Sequence, residues 1–216
     1  MAIAAASRHE LRRLIEERLK DSRPPTDAHS AVPAGFSAEV DAAIRQYFPA
    51  APVAAAVLVP IVDHADGLTV LLTQRATHLK NHAGQISFPG GRVEAADEGP
   101  LAAALRETEE EIGLSRQHVT FAGYLEPHLV LTGFWVTPVV GFVQPGFALA
   151  LDSSEVDSTF EVPLLHILDP ANHKARDRML GTTKVHVYDI PYREHHIWGA
   201  TAGMLMSLYR LLNTQG

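Results

Sequence analysis

The sequence predicts a mixed α/β domain preceded by an N-terminal helical extension, and three observations favour this fold class. Residues 53–62 form a continuous apolar run, which is typical of a strand buried on both faces. Residues 97–112 and 199–212 place apolar side chains at helical spacing. Strand and helix patterns alternate without the regular spacing of repeated βαβ units, so a mixed sheet is expected rather than a doubly wound parallel one.

Residues 1–50 predict a helical arm and a linker, and the main domain is expected to span residues 51–216. Residues 7–20 have the pattern of an amphipathic helix, in which Ser7 is the expected N-cap and Glu10 completes a capping box. The apolar stripe of this helix consists of Leu11, Leu14, Ile15 and Leu19.

A linker is expected over residues 21–35, because this stretch is rich in Pro and Ser and has no periodicity. A second short helix is expected over residues 37–47. The main domain then opens with a strand over residues 53–62 and another over residues 68–74, after a turn at Asp66-Gly67. Further strands are expected over residues 119–125, 135–143 and 184–190.

The two helices of the main domain each have one apolar side. The helix over residues 97–112 is expected to face the sheet with this side and to turn its carboxylates outward. Its apolar side consists of Leu101, Leu105, Thr108 and Ile112. The last helix, over residues 199–212, is expected to bury Met204, Leu205, Leu208 and Leu212.

Composition and charge exclude several classes of protein. A net charge of −7 and scattered cations give no basic surface for nucleic acid. The absence of cysteine excludes disulfides, thiolate metal sites and a cysteine nucleophile. No apolar run reaches the roughly 18 residues of a membrane span, and the N-terminal residues lack the apolar segment of a secretory signal. A cytoplasmic protein without a nucleic-acid or membrane partner is therefore expected.

Three carboxylates share one face of the helix over residues 97–112. Glu107, Glu110 and Glu111 stand at positions i, i+3 and i+4, where like charges repel one another. A divalent cation would convert this repulsion into attraction, and oxygen ligands favour Mg²⁺ or Mn²⁺ over Zn²⁺. A solvated acidic helix end is the alternative reading of the Glu run alone.

The stretch GGRVEAADEGPLAAALRETEEEIGL, residues 90–114, resembles the Nudix box of the Nudix hydrolases. That box consists of Gly, five residues, Glu, seven residues, and Arg-Glu-aliphatic-x-Glu-Glu-x-Gly-aliphatic. Thr108 stands where an aliphatic residue is usual. The loop is one residue longer than the pattern, so five residues from Gly91 lead to Asp97, whereas seven residues back from Arg106 lead to Glu98. Both acidic residues stay open for the first Glu position.

A second signature precedes the box. Residues 71–91, LLTQRATHLKNHAGQISFPGG, resemble the motif of the coenzyme A (CoA) diphosphatase branch of the family, with Ala76 in place of Ser and Lys80 in place of Arg. Residues 152–165 and 192–202 resemble later elements of the same branch. The resemblance covers roughly residues 50–210.

The resemblance implies a Nudix-type α/β/α sandwich with a mixed sheet, in a metal-dependent hydrolase that uses Mg²⁺ or Mn²⁺. The implied substrate is CoA or acyl-CoA, cut at the diphosphate bond to 3′,5′-ADP and (acyl-)4′-phosphopantetheine. The metal ligands it implies are Glu107, Glu110, Glu111 and the carbonyl of Gly91. Arg106 would orient the carboxylates, and the general base would be Glu107 or Glu155, of which Glu155 is slightly preferred. The residues expected to bind substrate are Arg75, Lys80, His82, Gln85 and Arg92.

Several alternatives stay open beside this interpretation. A Nudix hydrolase of ADP-ribose, nucleotide sugars or oxidised nucleoside triphosphates is one, and a non-catalytic Nudix-like ligand sensor is another. His78 and His82 could form a metal pair only on a helix, which Gly84 and Pro89 disfavour. Trp198 fits either a wall of the core or a base-stacking platform. A homodimer is compatible with the sequence.

Overall fold

The computed structural model describes residues 6–26, 32–33, 35–36, 47–48 and 50–214. The helices are α1 (Arg8–Leu19), α2 (Pro100–Ile112), α3 (Leu164–Leu168) and α4 (Gly199–Asn213), with 3₁₀ turns at Arg116–His118 and Pro170–Asn172. The strands up to the second half of the chain are β1 (Val32–Pro33), β2 (Val53–His64), β3 (Gly67–Arg75), β4 (Ile86–Ser87), β5 (Gly90–Arg92) and β6 (Val119–Tyr124). The later strands are β7 (His128–Leu129), β8 (Phe134–Val143), β9 (Val156–Pro163), β10 (Lys174–Leu180), β11 (Thr183–Tyr192) and β12 (His195–Trp198).

The main sheet is mixed, as the sequence predicts. β2 and β8 are parallel neighbours at its centre, while β3 and β5 pair antiparallel with β2. The path through the sheet runs β1-β7-β8-β2-β3-β4, with β5, β6 and β9 pairing to β2, β8 and β3. A separate antiparallel sheet contains β10, β11 and β12.

Helices cover both faces of the main sheet, which makes the domain an α/β/α sandwich. One core cluster joins the sheet to α1, α3 and α4, and a second joins it to α2. Alternate residues of β2 enter the two clusters, for example Val59 and Leu58. Burial on both faces explains why this strand is a continuous apolar run.

The predicted main strands are confirmed, with bounds that differ by one or two residues. Of the strands outside the prediction, β10 is informative because its sequence, KARDRML, is charged and largely exposed. A strand at the edge of a small, solvated sheet needs little apolar surface, so hydrophobic periodicity does not mark it. The helix expected over residues 37–47 lies outside the described residues except for Tyr47.

The first helix is confirmed together with its cap. Ser7 and Glu10 form the complete capping box at the start of α1. The arm also packs on the domain, because Leu11, Ile15 and Leu19 lie in the same core cluster as the sheet. Two arginines, Arg8 and Arg12, form ion pairs with Asp63 at the end of β2. No helix among the described residues is long and apolar enough to cross a membrane.

The helix expected over residues 97–112 begins three residues later, at Pro100. Gly99 adopts a φ of 99° just before it, and Pro100 occupies the first helical turn, where its missing N–H is not needed. The buried side of α2 agrees with the prediction only in part, because Thr108 and Ile112 are buried as expected but the two leucines are not. Leu101 and Leu105 are only partly buried, and the fully buried side chains are Ala103, Ala104, Thr108, Glu111 and Ile112.

Candidate active site

The Gly90-Gly91 turn brings the backbone of β5 against the carboxylates of α2. Both glycines pair with β2, opposite Val57 and Ala56. A Cβ atom added at Gly91 would lie 2.4 Å from Cδ of Glu107, and one added at Gly90 would lie 2.3 Å from the carbonyl oxygen of Ala56. Gly90 has no room for a side chain, and a side chain at Gly91 would displace the Glu107 carboxylate, so the two glycines permit the close approach of strand and helix.

Glu111 is the buried carboxylate of the site. Its side chain is 5% exposed, and its Oε2 accepts a hydrogen bond of 3.0 Å from the Gly90 N–H. The nearest cation is Arg75, whose Nη1 lies 3.9 Å from Oε1. Burial raises the pKa of Glu111 to about 8, and the charges of Glu155 and Glu107 add to this rise. An ionised Glu111 therefore lacks adequate compensation from the protein groups around it.

The expectation that all carboxylates of α2 face outward is wrong for Glu111. This residue lies three positions after Thr108 and seven after Ala104, which places it on the buried stripe of the helix. Glu110 does face solvent. The helical spacing therefore brings the carboxylates close together, but Glu111 is buried and Glu110 is exposed to solvent.

Arg106 links the acidic groups of the helix to the loop before it. Its Nη1 lies 3.0 Å from carboxylate oxygens of both Glu107 and Glu110. Its Nε and Nη2 donate to the two carboxylate oxygens of Asp97 over 3.1 and 3.0 Å. These bonds are the largest of the effects that lower the pKa of Asp97, whereas Glu98 is exposed. Asp97 is thus the residue of the longer loop that Arg106 holds.

Glu155 reaches the same region from the loop before β9. Its carbonyl accepts a hydrogen bond of 2.8 Å from the Ala76 N–H, next to Arg75. Burial raises the pKa of Glu107, as it does that of Glu111, and the charge of Glu155 adds to both rises. The side chain is exposed and forms no ion pair within the described ranges. The structure therefore brings Glu155 together with the box carboxylates, although about 45 residues separate them in sequence.

The set of oxygen donors fits a hard divalent cation. The charge of Glu155 raises the pKa of Glu107 and Glu111, and the charge of Glu107 raises that of Glu111, a repulsion which a cation would relieve. In the part of the chain that the structure describes, no three acidic or histidine side chains already converge on one point as a formed metal site. Arg106 draws the carboxylates of Glu107 and Glu110 to itself.

The residues predicted to bind substrate fall into separate places. His82 and Gln85 contact each other, with 2.8 Å between Nδ1 and Oε1, and Lys80 is exposed in the same loop. The side chain of Arg92 lies over the ring of Phe134, 5.5 Å from its centroid. Arg92 joins the carboxylate site only through its carbonyl, which accepts from Arg106 over 3.1 Å. Arg75 alone among these cations lies beside Glu111.

Among the described residues, neither the pair His78 and His82 nor the pair His195 and His196 forms a metal site. Residues 76–85 form turns rather than a helix, so His78 and His82 lack the helical spacing that a metal pair would use. His195 stacks on Phe160 with ring centroids 3.7 Å apart, and His196 lies 3.4 Å from the buried carboxylate of Asp189.

Comparison with known proteins identifies the class that this sandwich and its acidic site define. A family model of the NUDIX domain matches residues 52–181. The Nudix hydrolase NudL of Salmonella paratyphi B, described as uncharacterized, is 42% identical over 155 residues, which cover 71% of this chain and 80% of that protein. The chain therefore belongs to the Nudix family. It is a hydrolase that acts on diphosphate bonds.

Solved structures of the same class are more distant. An Ap4A hydrolase from C. elegans, in a binary complex, is 24% identical with a TM-score of 0.45, over 51% of this chain and 80% of that one. A MutT/nudix family protein from Enterococcus faecalis is 16% identical with a TM-score of 0.47, over 76% of this chain and 63% of that one.

Proposed function

We propose that this Nudix hydrolase cleaves the diphosphate bond of CoA or acyl-CoA, and releases 3′,5′-ADP and (acyl-)4′-phosphopantetheine. The observation that supports this most is the position of Arg75. It belongs to the signature over residues 71–91 that resembles the CoA diphosphatase branch, and its guanidinium lies 3.9 Å from the buried Glu111 of the box. This distance supports the proposal that the branch signature and the carboxylates serve one site.

A divalent cation, Mg²⁺ or Mn²⁺, belongs to this proposal. Glu107, Glu110, Glu111 and the Gly91 carbonyl would hold it, and it would neutralise diphosphate oxygens and lower the pKa of a bound water. Arg106 would hold the carboxylates in position, because it contacts Glu107, Glu110 and the Asp97 loop together.

Two glutamates are candidates for the general base. Glu107 is held by Arg106 over 3.0 Å, which restricts its motion, and burial raises the pKa of Glu107 even though Arg106 opposes this rise. Glu155 is exposed, has no described ion-pair partner and lies close enough to affect both box carboxylates. A base must be free to accept a proton from the attacking water, so these contacts favour Glu155.

The cations near the site would contact different parts of the substrate. Arg75 has a buried Nε without a hydrogen-bond partner among the described residues, and the exposed part of its guanidinium can donate to an incoming diphosphate oxygen. Lys80 and Arg92 lie farther from Glu111 and are exposed, which suits recognition of the 3′-phosphate. His82 and Gln85, which contact each other, would shape the loop between these regions.

A panel of substrates tests the proposal. The values of kcat/KM would be compared for CoA, acetyl-CoA, ADP-ribose, ADP-glucose and a nucleoside triphosphate, each with Mg²⁺ and with Mn²⁺. We expect the two CoA compounds to have the highest values. A higher value for ADP-ribose or a nucleoside triphosphate would contradict the assignment to CoA but would leave the Nudix hydrolase activity intact.

A further inference from the structure

A pocket of about 420 Å³ lies where the β11–β12 hairpin meets the loop that follows β3. We call it the hairpin pocket. Its chemically informative lining residues are Gln74, Gln85, Glu194, His195, His196 and Trp198. They come from three separate parts of the sequence, and none of the box carboxylates is among them.

The hairpin pocket adjoins the carboxylate site through Arg75. Gln74 precedes Arg75 in β3, and the Arg75 N–H donates to the carbonyl of Gln85 over 2.9 Å. The two pocket glutamines therefore flank the residue whose guanidinium lies beside Glu111. The side chains of Gln74 and Arg75 leave β3 on opposite faces, so a substrate with its diphosphate at Arg75 would reach this pocket around the end of β3.

Two aromatic rings form part of the pocket wall. His195 stacks almost parallel to Phe160, with an angle of 8° between the rings. The pocket touches His195 but not Phe160, so it meets the part of the imidazole that Phe160 leaves uncovered. Trp198 forms a further wall and has the guanidinium of Arg178 over its ring, 5.0 Å from the centroid. His195 and Trp198 leave β12 on opposite faces, so a flat aromatic ligand would stack on one of these rings and not between them.

The polar groups of the pocket supply two donors and an acceptor. The Oε1 atom of Gln85 faces Nδ1 of His82 over 2.8 Å, and Oε1 of Gln74 accepts from Ser158 over 3.3 Å. Both amide nitrogens are left without a protein acceptor within the described residues. The Glu194 side chain is 76% exposed, and its carboxylate can accept a hydrogen bond from a ligand.

We propose that the hairpin pocket binds the adenine base of the substrate. Adenine presents ring nitrogens that accept from glutamine amides and an amino group that donates to a carboxylate. Guanine would place its O6 carbonyl where adenine has the amino group, and this oxygen would face the Glu194 carboxylate without a proton between them. The pocket should therefore prefer adenine to guanine. This inference rests on the proposed function for the rest of the substrate.

The pocket is held in shape by groups behind it. The His196 Nδ1 lies 2.7 Å from an arginine nitrogen of Arg176, and Arg176 in turn pairs with the buried Asp189 over 2.5 Å. On the other side, the buried hydroxyl of Thr201 donates to the carbonyl of Ile86 over 2.9 Å, which ties α4 to the loop after Gln85. These contacts fix the hairpin relative to the loop before any ligand binds.

Equilibrium binding of AMP and GMP to the full chain in EDTA tests the pocket without requiring turnover. We expect AMP to bind more tightly than GMP. Trp198→Leu should weaken AMP binding about tenfold, as expected for the loss of one stacked base contact. Gln74→Ala combined with Gln85→Ala tests the same pocket if Trp198→Leu fails to fold. The control is Gln117→Ala, an exposed glutamine on the 3₁₀ turn at Arg116–His118, which should leave both affinities unchanged.

Equal affinities for AMP and GMP in the native protein would overturn the inference. Equal losses of both nucleotides in the pocket variants would do the same. The proposed function is judged separately, by CoA hydrolysis with Mg²⁺. Selective AMP binding that depends on the pocket, in a protein that leaves CoA intact, would support the adenine site and contradict the CoA assignment. CoA hydrolysis with a KM that the pocket variants do not change would support the CoA assignment and overturn the adenine site.

Discussion

Replacing Glu111 with Gln removes a charge but keeps the size of the side chain, so it separates the catalytic use of this carboxylate from its effect on folding. The amide oxygen can still accept from the Gly90 N–H, which bonds Oε2 over 3.0 Å in the native protein. What disappears is the ionisable group whose folded-state pKa is about 8. The variant should therefore fold, lose activity and gain stability at neutral and alkaline pH.

The gain in stability follows from the raised pKa. The folded protein holds the Glu111 proton more tightly than the unfolded chain does. The contribution of this group to the free energy of unfolding is therefore complete below pH 4.5 and declines as the pH rises toward 8. The decline reaches at most about 3 kcal/mol at pH 7 and about 5 kcal/mol above pH 8. Gln does not titrate, so the free energy of unfolding of Glu111→Gln should exceed that of the native protein by a difference that grows over this range.

The loss of activity follows from the proposed metal site. Removing one ligand charge should lower kcat by about a hundredfold or more, given the several kcal/mol that a metal ion supplies to charge stabilisation. Urea unfolding in EDTA at pH 5 and pH 8 measures the stability, and CoA turnover with Mg²⁺ measures the activity. Glu110→Gln serves as the stability control, because this exposed carboxylate should shift the free energy of unfolding by no more than about 0.5 kcal/mol.

Glu98→Gln serves as the activity control, since the exposed Glu98 lies outside the contacts of Arg106. Near-normal turnover in Glu111→Gln would remove Glu111 from the site. A stability difference that is the same at pH 5 and pH 8 would show that the ionised carboxylate is compensated in the folded protein, contrary to the reasoning above.

Three further predictions concern other groups. Glu155→Gln should lower kcat and abolish the acidic limb of its pH profile while native-like Mn²⁺ binding persists; an unchanged pH profile would assign the base to Glu107. Burial lowers the pKa of His128 to about 4, so the free energy of unfolding should fall by up to about 3 kcal/mol as the pH drops from 6.5 through 4. Urea unfolding should show a smaller dependence on pH in His128→Gln. Ala at Lys80 or Arg92 should raise KM about tenfold to a hundredfold for CoA but far less for dephospho-CoA. Arg75→Ala should raise KM for both substrates. Equal increases for both substrates at all three positions would place the 3′-phosphate elsewhere.

The elements that the sequence predicts well are those whose burial is uniform. β2 and β8 are almost wholly apolar because both faces of the sheet are covered, and α4 buries the four residues that its periodicity indicates. The Ser7–Glu10 capping box is equally predictable, because the two residues that form it are three positions apart. Local patterns with local causes can be predicted in this chain.

The site is predictable as a set of residues but less so as an arrangement. The box spacing identifies Glu107 and Glu111, yet the burial of Glu111 depends on the position of β5, which packs against α2. The choice between Asp97 and Glu98 depends on where Arg106 reaches across the loop, and motif counting leaves it open. Arg92 is near the box in sequence, but its side chain lies over Phe134.

The hairpin pocket could not be predicted from the sequence because its walls meet only through tertiary pairing. Gln74 and Trp198 are more than 100 residues apart, and the strand that carries His195 and Trp198 has no strong apolar period. The late motif over residues 192–202 marked this stretch as part of the family resemblance. Its place beside Arg75 depends on the antiparallel pairing of β11 with β12 and on the contact of that hairpin with the loop after β3.

Identification by mass of the products formed from CoA, with Mg²⁺ or Mn²⁺ and with excess EDTA, tests the central claim most directly. The account predicts 3′,5′-ADP and 4′-phosphopantetheine in equal amounts with either metal ion, and intact CoA in EDTA. Release of dephospho-CoA and inorganic phosphate, full cleavage in EDTA, or intact CoA under every condition would contradict it.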